Sequence, residues 1–250
     1  MTVSSGVRKV PLRVGVVASS GGSCIKAAYD IFSKVYPNRL NLFVVTDRPC
    51  GIEAFCSESN IPHVRVVEED NAALSGAIAD YFHSQGGVDI VILFFLRLVT
   101  KELFAVFPSL NIHPSMLPDY KGFRAIERAL ADNIEVLGAT IHMVDANVDG
   151  GDIVAQTSNS IVNINNKSDA YSLSFCQKTY LVLWLFNSII SQKVNFEKEY
   201  GYGFKAFFSD DNSESPNTNE VRLDVELESA FREYMSELGY LGLLMNDGEI

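Results

Sequence analysis

An asparagine and a histidine stand two residues apart in Asn111-Ile112-His113, directly before a proline-rich turn. The apolar run that contains them predicts a buried strand, and side chains two positions apart on a strand point to the same face. Asn111 and His113 would therefore project into one cleft, where an amide N–H and an imidazole can stabilise an oxyanion or move a proton. A single His after a strand is more often a hydrogen-bonded core residue, so this pair alone leaves catalysis and packing open.

A second polar segment, residues 144–152, contains three aspartates between two predicted strands. Its residues are turn formers, and such a loop is by default a solvated hairpin tip. A carboxylate that lies beside a protonated His would instead raise the pKa of the imidazole. In that arrangement a protonated His would be available near neutral pH.

A third segment, Ser19 to Ser23, is a turn of small residues between a Val-rich run and an amphipathic stretch. A turn before a helix presents backbone N–H groups and the positive end of the helix dipole to an anion. The segment has neither the Gly-Lys-Ser/Thr of a Walker loop nor the Gly-x-Gly-x-x-Gly of dinucleotide folds. It therefore predicts either an anion site or an ordinary tight turn.

The elements that position these segments alternate along the chain. Short apolar runs alternate with amphipathic stretches from residue 12 to residue 113, which predicts strands and helices in turn. Continuous apolar strands indicate a parallel sheet with helices on both faces, so the predicted class is α/β with a Rossmann-like, mostly parallel sheet. We expect strands at 12–18, 40–46, 63–67, 89–94 and 110–113, and helices near 25–35, 52–59, 71–83 and 100–107.

The pattern changes after residue 114. We expect a helix near 124–132, strands at 136–144 and 153–162, and a helix at 169–191 that is apolar nearly all round and is therefore buried by the sheet. Residues 209–220 contain no large apolar side chain and predict a mobile linker before a terminal helix. We divide the chain into a catalytic domain, 1–192, and a C-terminal extension, 193–250, whose role stays open.

Composition and charge restrict the class of protein. The chain has 250 residues, 47% of them hydrophobic, and a formal net charge of −11. This composition is typical of a folded chain. A pI near 4.8 disfavours nucleic acid as a partner, because affinity for phosphates depends on Lys and Arg. We expect a small-molecule ligand instead.

The four cysteines, Cys24, Cys50, Cys56 and Cys176, form no C-x-x-C pair and have no His at metal-ligand spacing. We expect reduced thiols, three of the four in the interior, and no metal site. The longest apolar run, 88–99, contains Asp89 and Arg97 and is too short to span a bilayer. Residues 1–11 lack the apolar stretch of a signal peptide, so we expect a cytoplasmic protein with no membrane partner.

Together, the three polar segments resemble the folate-dependent formyltransferases, most closely the glycinamide ribonucleotide transformylase branch. The resemblance rests on Asn111 to Pro118, on Gly138 to His142, and on Asp149-Gly150-Gly151. Asp149 follows Asn111 by 149 − 111 = 38 positions, as in that branch. The likeness covers about residues 12–192.

The resemblance implies that an acceptor amine attacks the formyl carbon of the co-substrate 10-formyltetrahydrofolate, without a metal. Asn111 and protonated His113 would donate hydrogen bonds to the oxyanion. Asp149 would keep His113 protonated and help to move a proton from the amine to the folate nitrogen.

The resemblance also implies where the two substrates bind. The walls of the pterin slot would be Leu96, Arg97, Leu98 and Val99 together with Ala146, Asn147 and Val148. The acceptor would lie against Gly21, Gly22, Ser23 and Pro114. For Leu96, Leu98 and Val99 the alternative is ordinary core packing. Arg97 is hard to explain as a core residue.

Three departures from the branch concern the acceptor. Cys24 replaces an Asn, Lys178 stands where a Glu holds the ribose, and residues 68–71 carry three acids where an Arg would help to bind a phosphate. These departures favour a small, non-phosphorylated amine, such as a hydroxyornithine-like amine or an amino sugar. Glycinamide ribonucleotide is the alternative acceptor, and a homodimer is left open.

Two other functions compete with the transferase. A formyltetrahydrofolate hydrolase uses the same residues with water, but only about eleven residues precede the first strand here, whereas those enzymes carry an N-terminal regulatory domain. A non-catalytic folate- or nucleotide-binding protein would have no need of the intact Asn111, His113 and Asp149.

Overall fold

A computed structural model describes residues 10–162, 164, 166–199, 203–209 and 221–244. Its strands are β1 (Leu12–Ala18), β2 (Leu40–Thr46), β3 (His63–Arg65), β4 (Ile90–Phe94), β5 (Ser109–His113), β6 (Val136–Met143), β7 (Ile153–Ser160), β8 (Val194–Glu199) and β9 (Gly203–Phe208). Its helices are α1 (Ser23–Val35), α2 (Gly51–Glu58), α3 (Asn71–Ser84), α4 (Lys101–Phe104), α5 (Ala125–Ala131), α6 (Lys167–Ile190) and α7 (Val225–Glu237), followed by a 3₁₀ turn at Leu241–Leu243.

The central sheet has the strand order β3-β2-β1-β4-β5-β6-β7. Strands β1 to β5 are parallel, whereas β6 and β7 run antiparallel to their neighbours. This arrangement confirms the predicted α/β class with a mostly parallel sheet. The chain order reverses between β1 and β4, and such a reversal leaves a crevice at the carboxyl ends of the strands. The Ser19 N–H donates to the Phe94 carbonyl at 3.1 Å across this crevice.

Helices cover both faces of the sheet. On the first face α1, α2, α6 and α7 pack against strand residues such as Val14 and Ile92. On the second face α3 and α4 pack against Val17, Val91 and Leu93. Because successive strand side chains alternate between the faces, β1 and β4 bury apolar residues on both sides and read as continuous apolar runs.

The long helix α6 is buried against the sheet, as its apolar residues predict. The predicted terminal helix is α7, which packs on α1 and α6 through Leu227, Phe231 and Met235. The Asp224 side chain caps α7 and also accepts hydrogen bonds from the Tyr36 hydroxyl and the Asn187 amide, both at 2.6 Å. The C-terminal segment is therefore fastened to the body of the protein.

Two elements beside the crevice are shorter than predicted. β3 ends at Arg65 and not at Val67, and α4 is a single turn that ends at Phe104 and not at Phe107. Phe107 precedes Pro108, and a residue before proline is disfavoured in the α conformation. Residues 66–70 leave the sheet as a loop beside the crevice.

The β8–β9 hairpin was not predicted. Its strands pair antiparallel from Val194 opposite Phe208 to Glu199 opposite Gly203. Its mixed apolar and charged residues give a weak local pattern, so the pairing itself makes these segments strands. The predicted linker lies outside the described residues except for Ser209, and the domain boundary after residue 192 stays a prediction.

The cysteines have the predicted burial, since Cys24, Cys56 and Cys176 are buried, Cys50 is half-buried, and all four are free thiols. Within the described ranges no helix is both long and apolar enough to cross a membrane.

Candidate active site

Asn111 and His113 lie on the second face of β5, whereas Leu110 and Ile112 point into the core on the first face. The antiparallel register of β5 and β6 places His142 opposite Asn111 and Thr140 opposite His113. Cross-strand partners share a face of the sheet, so these four polar side chains form one group. The loops at 114–124 and 144–152 cover this part of the sheet.

Asp149 stands at the centre of this group. Its Oδ2 lies 3.2 Å from His113 Nδ1 and accepts the Gly122 N–H at 2.7 Å. Its Oδ1 accepts from Asn111 Nδ2 at 3.2 Å and lies 3.4 Å from His142 Nε2. The structure thus brings Asn111, His113 and Asp149 together, and it adds His142 and a backbone N–H.

The backbone that follows Asp149 explains why two glycines stand there. A Cβ on Gly151 would lie 2.0 Å from the Met143 carbonyl oxygen, and one on Gly150 would lie 2.7 Å from Asn147 Cβ. Asp149 itself has a φ of +47°, a left-handed conformation that few residues other than glycine, asparagine and aspartate adopt. Asp-Gly-Gly therefore turns the loop back so that the carboxylate faces β5.

His113 is buried, and both of its ring nitrogens face oxygen atoms. Nε2 lies 2.9 Å from the Tyr120 carbonyl, which can only accept, so Nε2 carries a proton. Burial disfavours the charged ring and lowers the pKa of His113 below its usual 6.5, although the Tyr120 carbonyl and Asp149 act in the opposite direction. Asp149 thus acts on the pKa of His113 in the predicted direction, but burial outweighs the carboxylate, so the net shift of this pKa is downward and not upward.

Asp149 is ionised throughout the physiological range. Burial opposes its charge, but the His142 ring beside it, the Gly122 N–H and the charge of His113 together outweigh burial and lower its pKa to about 2. A buried carboxylate with several donors keeps its negative charge. The site therefore combines a fixed anion with a neutral imidazole that can gain a proton.

His142 is a site residue to which the sequence pattern assigned no role. Its Nδ1 lies 2.8 Å from the Met143 carbonyl and so carries a proton, which leaves Nε2 free to accept from Asn111 Nδ2 at 3.2 Å. The Asn111 amide thus donates to both His142 and Asp149, which fixes its orientation. The only signal in the sequence was the place of His142 in the Gly138 to His142 motif.

The residues predicted to line a pterin slot lie on two loops that carry exposed apolar side chains. Leu96 is 53% exposed and Leu98 is 59% exposed, so core packing is wrong for both, whereas Val99 is half-buried against the second-face core. In the other loop Val148 is 54% exposed, and Ala146 and Asn147 are also exposed. Apolar side chains on a rim beside a polar pocket suit a flat heteroaromatic ligand.

The segment predicted to bind the acceptor leads into α1. Gly22 has a φ of +61°, and a Cβ there would lie 2.6 Å from Ile52 Cδ1, so the turn requires glycine. Gly21 and Ser23 are exposed, and the first turn of α1 has neither an acidic residue nor a side-chain cap. The charge of Lys178 on α6 reaches this turn, since it acts to lower the pKa of the Cys24 thiol while burial raises that pKa to about 11.

Pro114 follows His113 directly and is half-buried. Among the residues that the structure describes, no group of three His, Cys, Asp or Glu side chains could hold a metal ion.

Comparison with known proteins identifies relatives of this chain. The formyl transferase family matches residues 12–182. A phosphoribosylglycinamide formyltransferase of Mycobacterium tuberculosis is 32% identical over 156 residues, which are 58% of this chain and 70% of that protein. Glycinamide ribonucleotide transformylase 1 from Symbiobacterium toebii superposes with a TM-score of 0.68 at 25% identity, over 75% of this chain and 91% of the other.

A second solved structure, phosphoribosylglycinamide formyltransferase from Anaplasma phagocytophilum, has the same fold. It superposes with a TM-score of 0.67 at 23% identity and covers 81% of this chain and 95% of its own. The family match over residues 12–182 contains the central sheet, the Asn111, His113 and Asp149 group and most of α6.

Proposed function

Since the chain belongs to the formyl transferase family and is a formyltetrahydrofolate-dependent formyltransferase, we propose that it moves the formyl group of 10-formyltetrahydrofolate to an amine of a small molecule at the Asn111, His113 and Asp149 group. The observation that carries this proposal is the placement of one buried carboxylate against both an amide and an imidazole on the same strand. The acceptor amine forms a bond to the formyl carbon, and the bond from that carbon to the folate nitrogen breaks.

Asn111 and His113 stabilise the oxyanion of the tetrahedral intermediate. Both side chains project from a strand, which fixes their positions. The Nε2 proton of His113 is bonded to the Tyr120 carbonyl, so the oxyanion takes the place of that acceptor to receive it. Asn111 donates to Asp149 and His142, and the formyl oxygen takes the place of one of these acceptors. Negative charge on that oxygen favours the charged form of His113, which raises the low pKa of the buried ring.

Asp149 moves the proton that the reaction must transfer. The attacking amine loses one proton, and the departing folate nitrogen gains one, so the balance requires a relay between them. The Asp149 carboxylate touches His113 at 3.2 Å, and the pair takes up the amine proton directly or through water. The same pair then delivers a proton to the folate nitrogen.

The pterin ring lies between the two exposed apolar segments. Leu96, Leu98 and Val99 form one wall, and residues 146–148 form the other. Backbone polar groups of both loops supply hydrogen bonds to the heterocycle.

Glycinamide ribonucleotide is the acceptor that the relatives favour, because two of the similar proteins carry that activity in their names. The open first turn of α1 supports this choice, because it offers backbone N–H groups to a phosphate and because the charge of Lys178 acts on Cys24 in that turn. The relatives therefore favour glycinamide ribonucleotide over the non-phosphorylated amine that the departures suggested.

A non-phosphorylated amine is the second candidate. Three nearby arginines are already engaged. Arg97 bonds to Glu68, Glu69 and Asn71, Arg48 pairs with Asp47, and Arg65 pairs with Glu53. A phosphate at Gly21 to Ser23 would therefore depend on backbone N–H groups and Lys178.

The test is a comparison of acceptors with one protein preparation. Tetrahydrofolate release is measured with glycinamide ribonucleotide, N-hydroxyornithine, an amino sugar or no amine, and the formylated product is identified by mass spectrometry. We expect release only with an amine and fastest with glycinamide ribonucleotide. Release without any amine would indicate a hydrolase, and no release would indicate a binding protein.

A further inference from the structure

The side chain of Arg97 donates hydrogen bonds to backbone carbonyls, although Arg97 lies between two exposed leucines, Leu96 and Leu98. Its Nη1 donates to the Glu68 carbonyl at 2.5 Å and its Nη2 donates to the Glu69 carbonyl at 2.6 Å. Nη2 and Nε also donate to Asn71 Oδ1, at 2.8 Å and 3.2 Å. The guanidinium thus binds other residues of the protein. Any role of Arg97 at the folate site has to be explained by these bonds.

These bonds join two loops that leave the sheet at separate places. Residues 66–70 follow β3, and residues 95–100 follow β4, with β2 and β1 between these strands in the sheet. Neighbouring strands are about 4.8 Å apart, so the connection crosses roughly three strand spacings at the carboxyl ends. Arg97 therefore fixes one loop against the other beside the crevice.

The loop 95–100 is held at two further points. The Leu96 N–H donates to Ser19 Oγ at 3.2 Å, and the Thr100 N–H donates to Ser75 Oγ at 2.9 Å. The backbone is thus anchored on both sides of Arg97, while the side chains of Leu96 and Leu98 stay in solvent.

We propose that Arg97 is a positioning residue that holds the Leu96–Val99 wall in place for the folate by tying it to the loop at Glu68, Glu69 and Asn71. This inference rests on the proposed function, because it assumes that the folate binds against these leucines. Exposed apolar side chains are not stabilised by contact with water, so they do not hold the loop in place. A loop that is ordered before binding loses less conformational entropy when the ligand binds. Several charge-assisted hydrogen bonds from one planar group provide that order.

The test compares four variants. Arg97→Ala removes all the bonds, Arg97→Lys retains a charge that reaches fewer acceptors, and Leu98→Ala removes part of the wall itself. Arg13→Ala is the matched control, because Arg13 also binds loop carbonyls, those of Gly87 and Gln85, but at the amino end of β1. The measurements are the affinity for tetrahydrofolate as Kd, the KM for the formylated folate, kcat, and hydrogen exchange of residues 95–100.

We expect Arg97→Ala to raise both folate constants, Kd and KM, about tenfold, on the scale of charge-assisted bonds, with kcat changed less than about twofold. Arg97→Lys should recover part of the loss. Hydrogen exchange at 95–100 should accelerate in Arg97→Ala but not in Arg13→Ala, whose folate constants should stay at wild-type values even where it loses stability.

The outcomes separate the two proposals. If Leu98→Ala binds tetrahydrofolate as the wild type does, the folate slot is assigned wrongly and the proposed function needs another binding site. If Leu98→Ala weakens binding but Arg97→Ala and Arg97→Lys do not, the slot stands and the positioning role of Arg97 is overturned. A lower kcat at unchanged KM in Arg97→Ala would overturn it as well.

Discussion

Leu93 on β4 and Asn111 on β5 are neighbours in the parallel ladder and face the same side of the sheet, but their surroundings differ. Leu93 is buried in the apolar cluster under α3 and α4. Asn111 meets His142 and Asp149 under a loop. A covering helix offers only side chains to the sheet, whereas a covering loop also offers backbone N–H and carbonyl groups, so polar residues can be buried with partners.

The same contrast separates the chemistry from the binding surfaces. His113 and Asp149 are buried and held by several hydrogen bonds, whereas Leu96, Leu98 and Val148 are exposed on the rim. Changes in the buried group should therefore alter the chemical step and the pH dependence. Changes on the rim should alter the affinity for substrates.

The largest effect is expected from His113→Ala. The variant lacks one oxyanion donor and half of the proton relay, so kcat should fall at least about a hundredfold. Folate affinity should stay near the wild-type value, because the slot is formed by other residues. Turnover and the Kd of tetrahydrofolate measure the two effects, and His63→Ala, an exposed His bonded to the Ile61 carbonyl, is the control. Near wild-type turnover in His113→Ala would refute the mechanism.

Asp149→Asn should change the pH dependence of the rate. The carboxylate raises the pKa of His113, so its loss leaves burial unopposed by that charge and lowers the pKa further. Activity that needs a proton on His113 is lost as the pH rises through this pKa, so the variant should lose more activity at neutral than at acidic pH. The pH profile of kcat measures the shift. A profile that is only scaled down uniformly would contradict the coupling of the two residues.

The same carboxylate should stabilise the fold in a defined pH range. Its pKa is lowered from 3.8 to about 2, which corresponds to about 2 kcal/mol of unfolding free energy. This contribution is complete above pH 3.8 and is lost as the pH falls towards about 2. Denaturant unfolding of the wild type and Asp149→Asn at several pH values should show a difference in stability that shrinks over this interval. A difference that stays constant with pH would assign the effect to packing.

The smallest effect is expected on the rim of the acceptor site. Lys178→Ala removes the positive charge near the first turn of α1, so the KM for glycinamide ribonucleotide should rise several-fold, up to about tenfold. The KM for the folate should not change. Lys167→Ala, an exposed Lys on the same helix that pairs with Glu127, is the control. An unchanged KM would favour the non-phosphorylated acceptor.

Local sequence patterns were enough to predict many of the strands and helices. The periodicity of apolar residues predicted β1, β2, α3 and α6 nearly to their ends, because burial on one or both sides of an element leaves a repeat of fixed spacing. The pattern failed for β8 and β9, where the strands are made by pairing. It also overestimated α4, which has a proline shortly after it.

The sequence by itself determined that Asn111 and His113 share a face, because the two-residue repeat of a strand is a local property. It also marked residues 144–152 as a turn between two strands, because the segment consists of turn-forming residues. Only the tertiary structure decided that His142 lies opposite Asn111, because that contact depends on the register between two strands far apart in the chain. It likewise decided the direction of the His113 pKa, because desolvation depends on everything that packs around the ring and not on its neighbours in sequence.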